Sequence, residues 1–282
     1  MKKLTILLLL LCSLSVQAQS QRFTMKDAGQ EREYWLFVPD SLSPARPLVL
    51  MLHGYGGKAE NYFPAMEETA KKYGFVLCFP QGLKDPGKGK TGWNVGYPSQ
   101  QGWKQDDVAF LLRLKKHLVK SYGLNPANTF FSGMSNGGEM CYIMAYQHPE
   151  AFAAICSLAG LTMEWLYRTQ PRGSVPFMEV HGTADTTSAW EGDPENKGGW
   201  GAYVAVPMAV GRLISISGCT HRQIETLPLY TPESHQVIRY RYLGGKNEIR
   251  LYEVIGGKHS RGASDLDVCE EIWSFFAPYL SE

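Results

Sequence analysis

The chain has 282 residues, 44% of them hydrophobic and 20% charged, and a formal net charge of +1 at pH 7. That length and apolar content suit one large α/β domain with a sizeable core. Lys and Arg are scattered and balanced by Asp and Glu, which excludes a nucleic-acid surface and a polybasic membrane patch.

The chain opens on Met1-Lys2-Lys3, an apolar run over 4–14 and small residues before Gln19. This pattern predicts a signal peptide cut after Ala18, export to the periplasm or the medium, and one domain over 19–282. The apolar run is too short to cross a bilayer, and no later segment is long and apolar enough. Beyond the leader lie Cys78, Cys141, Cys156, Cys219 and Cys269. The first three sit in apolar runs and read as small core hydrophobes, which leaves Cys219 and Cys269 as the better disulfide candidates. No His/Cys cluster has metal-ligand spacing, so no metal is expected.

Residues 33–39 read as a strand closed by Pro39. Residues 47–53 are apolar almost throughout and predict a buried central strand that ends in His53-Gly54-Tyr55-Gly56-Gly57. Helical spacing over 61–73 puts Met66, Ala70 and Tyr73 on one face, and Gly74 ends it. A buried strand over 75–80 leads into a Gly/Pro-rich connection over 81–105 that holds Trp93, Asn94, Tyr97 and Trp103. A loop of that length in a compact domain points to function. Asp106 and Asp107 start a helix running to 120, where they cap it and tie down the preceding loop. Further strands are predicted over 129–131, 153–159, 176–181, 237–242 and 249–255. Helices are predicted over 139–148, 206–216 and 266–280, with a second Trp/Gly-rich loop over 187–205. This alternation gives a mostly parallel sheet with helices on both faces. In such sheets, sites form beyond the carboxyl ends of the strands.

Gly133-Met134-Ser135-Asn136-Gly137 fits G-x-S-x-G between a strand and a helix, the setting of a nucleophile elbow. A serine there is pushed out on a tight turn, and the helix behind it aims free N–H groups at a developing oxyanion. Such a serine needs a base, and the base needs an orienting acid. Asp185, in His181-Gly182-Thr183-Ala184-Asp185, and His259, after Gly256-Gly257-Lys258, both follow predicted strands in the chain order Ser, acid, His. His181 precedes the acid and reads as structural. His221 and His235 lie in polar stretches, and His117 and His148 in or at the end of helices. The N–H groups of Asn136 and Tyr55 are the oxyanion-hole candidates.

These motifs, with the Asp106-Asp107-Val108 helix start, the run 149–154 and Ser217-Gly218-Cys219, resemble one family over nearly the whole exported chain. It is the secreted polyhydroxybutyrate depolymerase-like and feruloyl esterase-like group, which includes acetyl xylan esterases. The resemblance implies an α/β-hydrolase fold and cofactor-free hydrolysis of a carboxylic ester, with Ser135, Asp185 and His259 as triad. Many members carry Gly-Gly-Gly-His followed by Trp-Pro; here Lys258 precedes the histidine and Ser260-Arg261-Gly262 follows it. The expected substrate is a feruloyl or acetyl ester on plant polysaccharide. The alternatives are a hydroxyalkanoate polyester and, in a different class, a non-catalytic carbohydrate-binding role. Trp93, Trp190 and Trp200, in the two long loops, are the candidates for stacking on an aromatic acyl group or a sugar.

Overall fold

The continuous apolar runs of the sequence become the middle strands of one sheet. The structure, a computed structural model, describes residues 19–282; the predicted signal peptide over 1–18 lies outside the described residues. Chain order runs β1 (Gln21–Asp27), β2 (Gln30–Phe37), β3 (Leu48–Leu52), α1 (Pro64–Tyr73) and β4 (Val76–Pro80). The loop after β4 holds two short strands, β5 (Leu83–Lys84) and β6 (Thr91–Gly92), and a 3-10 turn at Pro98–Gln100. Then follow α2 (Asp107–Tyr122), β7 (Thr129–Met134), α3 (Asn136–Gln147) and β8 (Ala154–Leu158). Next come β9 (Thr162–Met163), the single turn α4 (Glu164–Tyr167), β10 (Phe177–Gly182), β11 (Tyr203–Val204) and α5 (Val206–Ser217). The chain closes with β12 (His221–Thr226), β13 (Val237–Leu243), β14 (Ile249–Val254) and α6 (Val268–Phe276).

The main sheet is ten-stranded, in the order β1-β2-β4-β3-β7-β8-β10-β14-β13-β12. Strands β4, β3, β7, β8, β10 and β14 run parallel to their neighbours in this series, and antiparallel strands finish both edges. Alternation along β3 sends Leu48, Leu50 and Leu52 to one face and Val49 and Met51 to the other. The first face is covered by α2, α3 and α5 through Phe110, Leu114, Met140 and Val210. The second is covered by α1 and α6, where Trp273 stacks on Phe75 at 4.5 Å. Each such large side chain, fully buried, contributes about 2 kcal/mol. The parallel strands therefore end together at one carboxyl edge, and that edge carries the site.

Two strands depart from the sequence reading. The edge strand β1 was not anticipated, and neither was β12, in which every residue is exposed. The long loops also carry local pairing, β5 with β6 and β9 with β11. The disulfide expectation is corrected: Cys219 and Cys269 are both free. They lie on opposite faces of the sheet, and the Cys219 thiol is directed to the carbonyls of Tyr242 and Asn247. Among the described residues, no helix is long and apolar enough to cross a membrane.

Candidate active site

Strand β7 ends at Met134, and Ser135 turns the chain into α3 with φ 56° and ψ −121°. Its N–H donates to Leu158 O of β8 at 2.8 Å, and its own carbonyl accepts the Glu139 N–H at 2.8 Å. Glycine is required on both sides of this turn. A Cβ on Gly133 would lie 2.4 Å from Gly137 O, and one on Gly137 would lie 2.6 Å from Leu52 O. The strand, the turn and the helix are thus locked backbone against backbone, with Ser135 at the crest.

The loop after β3 runs alongside; a Cβ on Gly54 would sit 3.2 Å from Ser135 Cβ. His53 fixes this loop. Its Nδ1–H donates to Gly54 O at 2.7 Å, and its Nε2 accepts the Gly82 N–H at 3.0 Å. That pair of contacts defines a neutral tautomer, and burial holds the imidazole pKa down at about 4. Tyr55 follows, its hydroxyl donating to Asp85 at 3.0 Å. Asn136 begins α3, where backbone N–H groups have no intrahelical acceptor. Its side chain clamps the other loop, accepting the Trp93 N–H at 2.7 Å and donating to Trp93 O at 3.1 Å.

The candidate acid and base meet, as their chain order implies. His259 Nδ1 donates to Asp185 Oδ2 at 2.6 Å, with Asp185 buried and His259 partly open. The other Asp185 oxygen accepts the N–H groups of Thr187 and Ser188 at 2.7 and 2.8 Å. Burial pushes the Asp185 carboxyl upward, but His259 and these N–H bonds outweigh it and hold it below the usual carboxylate range. Ser135 lines one narrow cleft with Thr187 and Ser188, and with Tyr55, Tyr97, Leu161 and Trp200 around it. The cleft holds about 10 Å³ of free volume, room for about one water molecule. Across Tyr97 lies a larger cavity of about 410 Å³, bordered by Gln101, Glu164 and Trp165.

The three predicted tryptophans have different fates. Trp200 lines the cleft, its ring 5.6 Å from Tyr55 and 5.1 Å from Tyr97. Trp190 is half-buried and packs edge-on to His181 at 6.0 Å. Trp93 is corrected as a substrate surface: it is fully buried, and its indole N–H donates to His53 O at 3.0 Å. Its ring supports the His53 loop from beneath and has no face left for an acyl group.

The structure also brings up a residue that the sequence reading passed over. Glu139, on the first turns of α3, borders the same cleft and is 2% exposed. Burial raises its pKa to about 8 against the opposing pull of Tyr97 and Asn136, which favours the protonated form of this carboxyl in the cleft wall. Its signal in the sequence was a lone charge inside an otherwise apolar helix. Among the described residues, no group of three or more His, Cys, Asp or Glu is placed to hold a metal ion.

Comparison with known proteins fits this arrangement. Residues 32–169 match the family model described as "Esterase PHB depolymerase", a span that includes Tyr55, Ser135 and Asn136. In structure, the chain is similar to an acetyl xylan esterase from Aspergillus awamori, with a TM-score of 0.65 and 16% identity over 91% of this chain and 99% of that one. The chain has the α/β-hydrolase fold, and its sequence is similar to the PHB depolymerase-type esterases. Among curated relatives, the chain is 29% identical to a putative esterase, NocK, of Nocardia uniformis subsp. tsuyamanensis, over 58% of this chain and 48% of the relative. It is 29% identical to a bifunctional acetylxylan esterase/xylanase of Neocallimastix patriciarum, over 57% of this chain and 22% of the relative. Feruloyl esterase B of Talaromyces funiculosus is 23% identical over 48% of this chain and 38% of its own length. The chain thus spans half or less of the length of these relatives.

Proposed function

We propose that residues 19–282 act as one secreted or periplasmic serine carboxylic-ester hydrolase. Ser135 attacks the ester carbonyl, His259 takes its proton and returns it to the leaving alcohol, and Asp185 fixes the imidazole. The N–H groups of Tyr55 and Asn136 receive the oxyanion. Water then attacks the acyl-enzyme, with His259 again the base, and frees the acid. The observation that carries the reading is the 2.6 Å bond from His259 to Asp185, whose carboxylate is held by the two loop residues that share the cleft with Ser135. No step calls for a cofactor.

The acyl group is small. A cleft of about 10 Å³ beside Ser135 takes an acetyl group with little displacement, whereas a feruloyl ring needs Trp200 and Tyr97 to part. The roomy cavity across Tyr97 suits a large alcohol, and the relatives named for acetylxylan and ferulate esters support acetylated plant polysaccharide as substrate. The test is hydrolysis of p-nitrophenyl acetate, acetylated xylo-oligosaccharide and methyl ferulate by the purified protein. Acetyl esters should turn over faster than ferulate, and Ser135→Ala should lose at least roughly a thousandfold in kcat while staying folded. Turnover undiminished in that variant overturns the mechanism; faster ferulate hydrolysis overturns the acyl assignment.

A further inference from the structure

Behind Asp185 lies a second buried pair that the mechanism above does not use. Glu179 and His181 sit on β10 two residues apart, so both side chains leave the same face of the sheet, and both are fully buried. His181 Nδ1 lies 2.9 Å from Glu179 Oε1, and His181 Nε2 lies 2.7 Å from Ser188 O. A carbonyl oxygen only accepts, so Nε2 carries a hydrogen. A second hydrogen lies between Nδ1 and the Glu179 carboxyl. The pair therefore holds two protons, and its N–H edge faces Asp185, with Nε2 3.6 Å from the same Oδ2 that binds His259.

The surroundings leave this pair to compensate itself. Gly160 N–H donates to Glu179 at 3.3 Å. The other groups facing Glu179 are Tyr142 and Cys141 from α3 and Cys156 and Ser157 from β8. Burial raises the Tyr142, Cys141 and Cys156 pKa values, so they stay neutral and supply no charge. Asp185 and, beyond it, His259 are the titratable groups on the other side. Ser188 is bound twice: its N–H to Asp185 and its carbonyl to His181.

We propose that Glu179 and His181 are positioning residues for the hydrolysis: a proton-sharing pair that anchors the Asp185–Ser188 turn and presents a positive edge to the Asp185 carboxylate, so that Asp185 stays ionised and aimed at His259. This inference rests on the esterase reading above. Two carboxyl groups and two imidazoles thus alternate in the series Glu179, His181, Asp185, His259. Of these four side chains, only that of His259 is open to solvent.

The test uses the full-length exported protein and p-nitrophenyl acetate, with wild type and Ser135→Ala first establishing that an esterase is present. The double variant Glu179→Met/His181→Leu removes both halves and leaves no unpaired charge buried. Its kcat should fall by roughly tenfold to a hundredfold with KM little changed, because the base is misaligned but the cleft is intact. The acid limb of kcat/KM should move to higher pH, since loss of the positive edge favours protonation of Asp185. A folded double variant with wild-type kcat and an unmoved acid limb overturns the proposal and makes the pair a packing element. Should the double variant fail to fold, Glu179→Gln decides: it keeps the shape, removes the shared proton and should still shift the acid limb upward. An unshifted limb in Glu179→Gln overturns the proposal equally. Wild type inactive on every ester overturns the esterase reading, and the positioning role falls with it.

Discussion

Asp107 accepts the Asn94 backbone N–H at 2.8 Å through one carboxylate oxygen and the Arg32 guanidinium at 2.9 Å through the other. A single buried carboxylate on the first turn of α2 thereby ties strand β2 to the loop that carries Trp93. Asp106 beside it caps the helix by accepting the Ala109 N–H at 2.9 Å. The adjacent acids divide the work expected of them, one for the helix and one for the loop.

Asp107→Ala should destabilise the fold by about 3–5 kcal/mol, because Arg32, fully buried over the Phe110 ring, loses its ion partner among the described residues. Urea unfolding followed by circular dichroism reads this directly. A loss below about 1 kcal/mol would show that the buried guanidinium relaxes to water and that the tie is dispensable.

The tryptophans should separate by role. Trp93→Phe removes the hydrogen bond to His53 O and should lower turnover of acetate and ferulate esters together, with a stability loss of about 1 kcal/mol. Trp200→Ala opens the cleft at Ser135 and should raise the ratio of ferulate to acetate kcat/KM with little change in stability. Paired kinetics on p-nitrophenyl acetate and methyl ferulate check both. An unchanged ratio in Trp200→Ala removes that residue from acyl selection.

Acid should weaken the protein through His53. In the native loop its imidazole stays neutral down to about pH 4, while in the unfolded chain it takes up a proton near the ordinary value of about 6.5. The unfolded state therefore binds more protons between these limits. Stability is complete above about pH 6.5 and declines as pH falls towards 4, by at most roughly 3 kcal/mol from this group. His53→Gln, with no proton to take up, should flatten the fall across that window. Unfolding free energies at pH 7, 5.5 and 4 make the comparison; equal slopes would place the acid sensitivity elsewhere.

Much of this was legible in the sequence because the central strands are apolar on both faces. Residues 47–53, 75–80 and 176–181 have no other stable place than the middle of a parallel sheet, and their ends located His53, Asp185 and the loops. Strand β12 was hidden for the opposite reason: at the edge of the sheet with neither face covered, His221–Thr226 has no hydrophobic period to display. Trp93 was misread because large aromatics in a Gly-rich loop look alike whether they face solvent or support a neighbouring turn. Only the fold shows that this loop doubles back beneath His53. Glu139 showed only as a lone charge in an apolar helix and His181 only as a structural histidine, since what sets Glu139 and the Glu179–His181 pair apart is burial beside Ser135 or beside one another, and spacing along the chain does not encode that.

The crest position of Ser135 has a consequence for how the protein ages and evolves. With φ at 56° and ψ at −121°, the residue holds a conformation that side chains resist, at a cost on the order of 1–3 kcal/mol. Glycine carries no such penalty beyond its greater freedom in the unfolded chain. Ser135→Gly should therefore melt a few degrees above wild type while being catalytically dead. Directed evolution for heat resistance alone, with no demand for turnover, should erase this serine early, so a thermostable lineage has to be screened on substrate at every round.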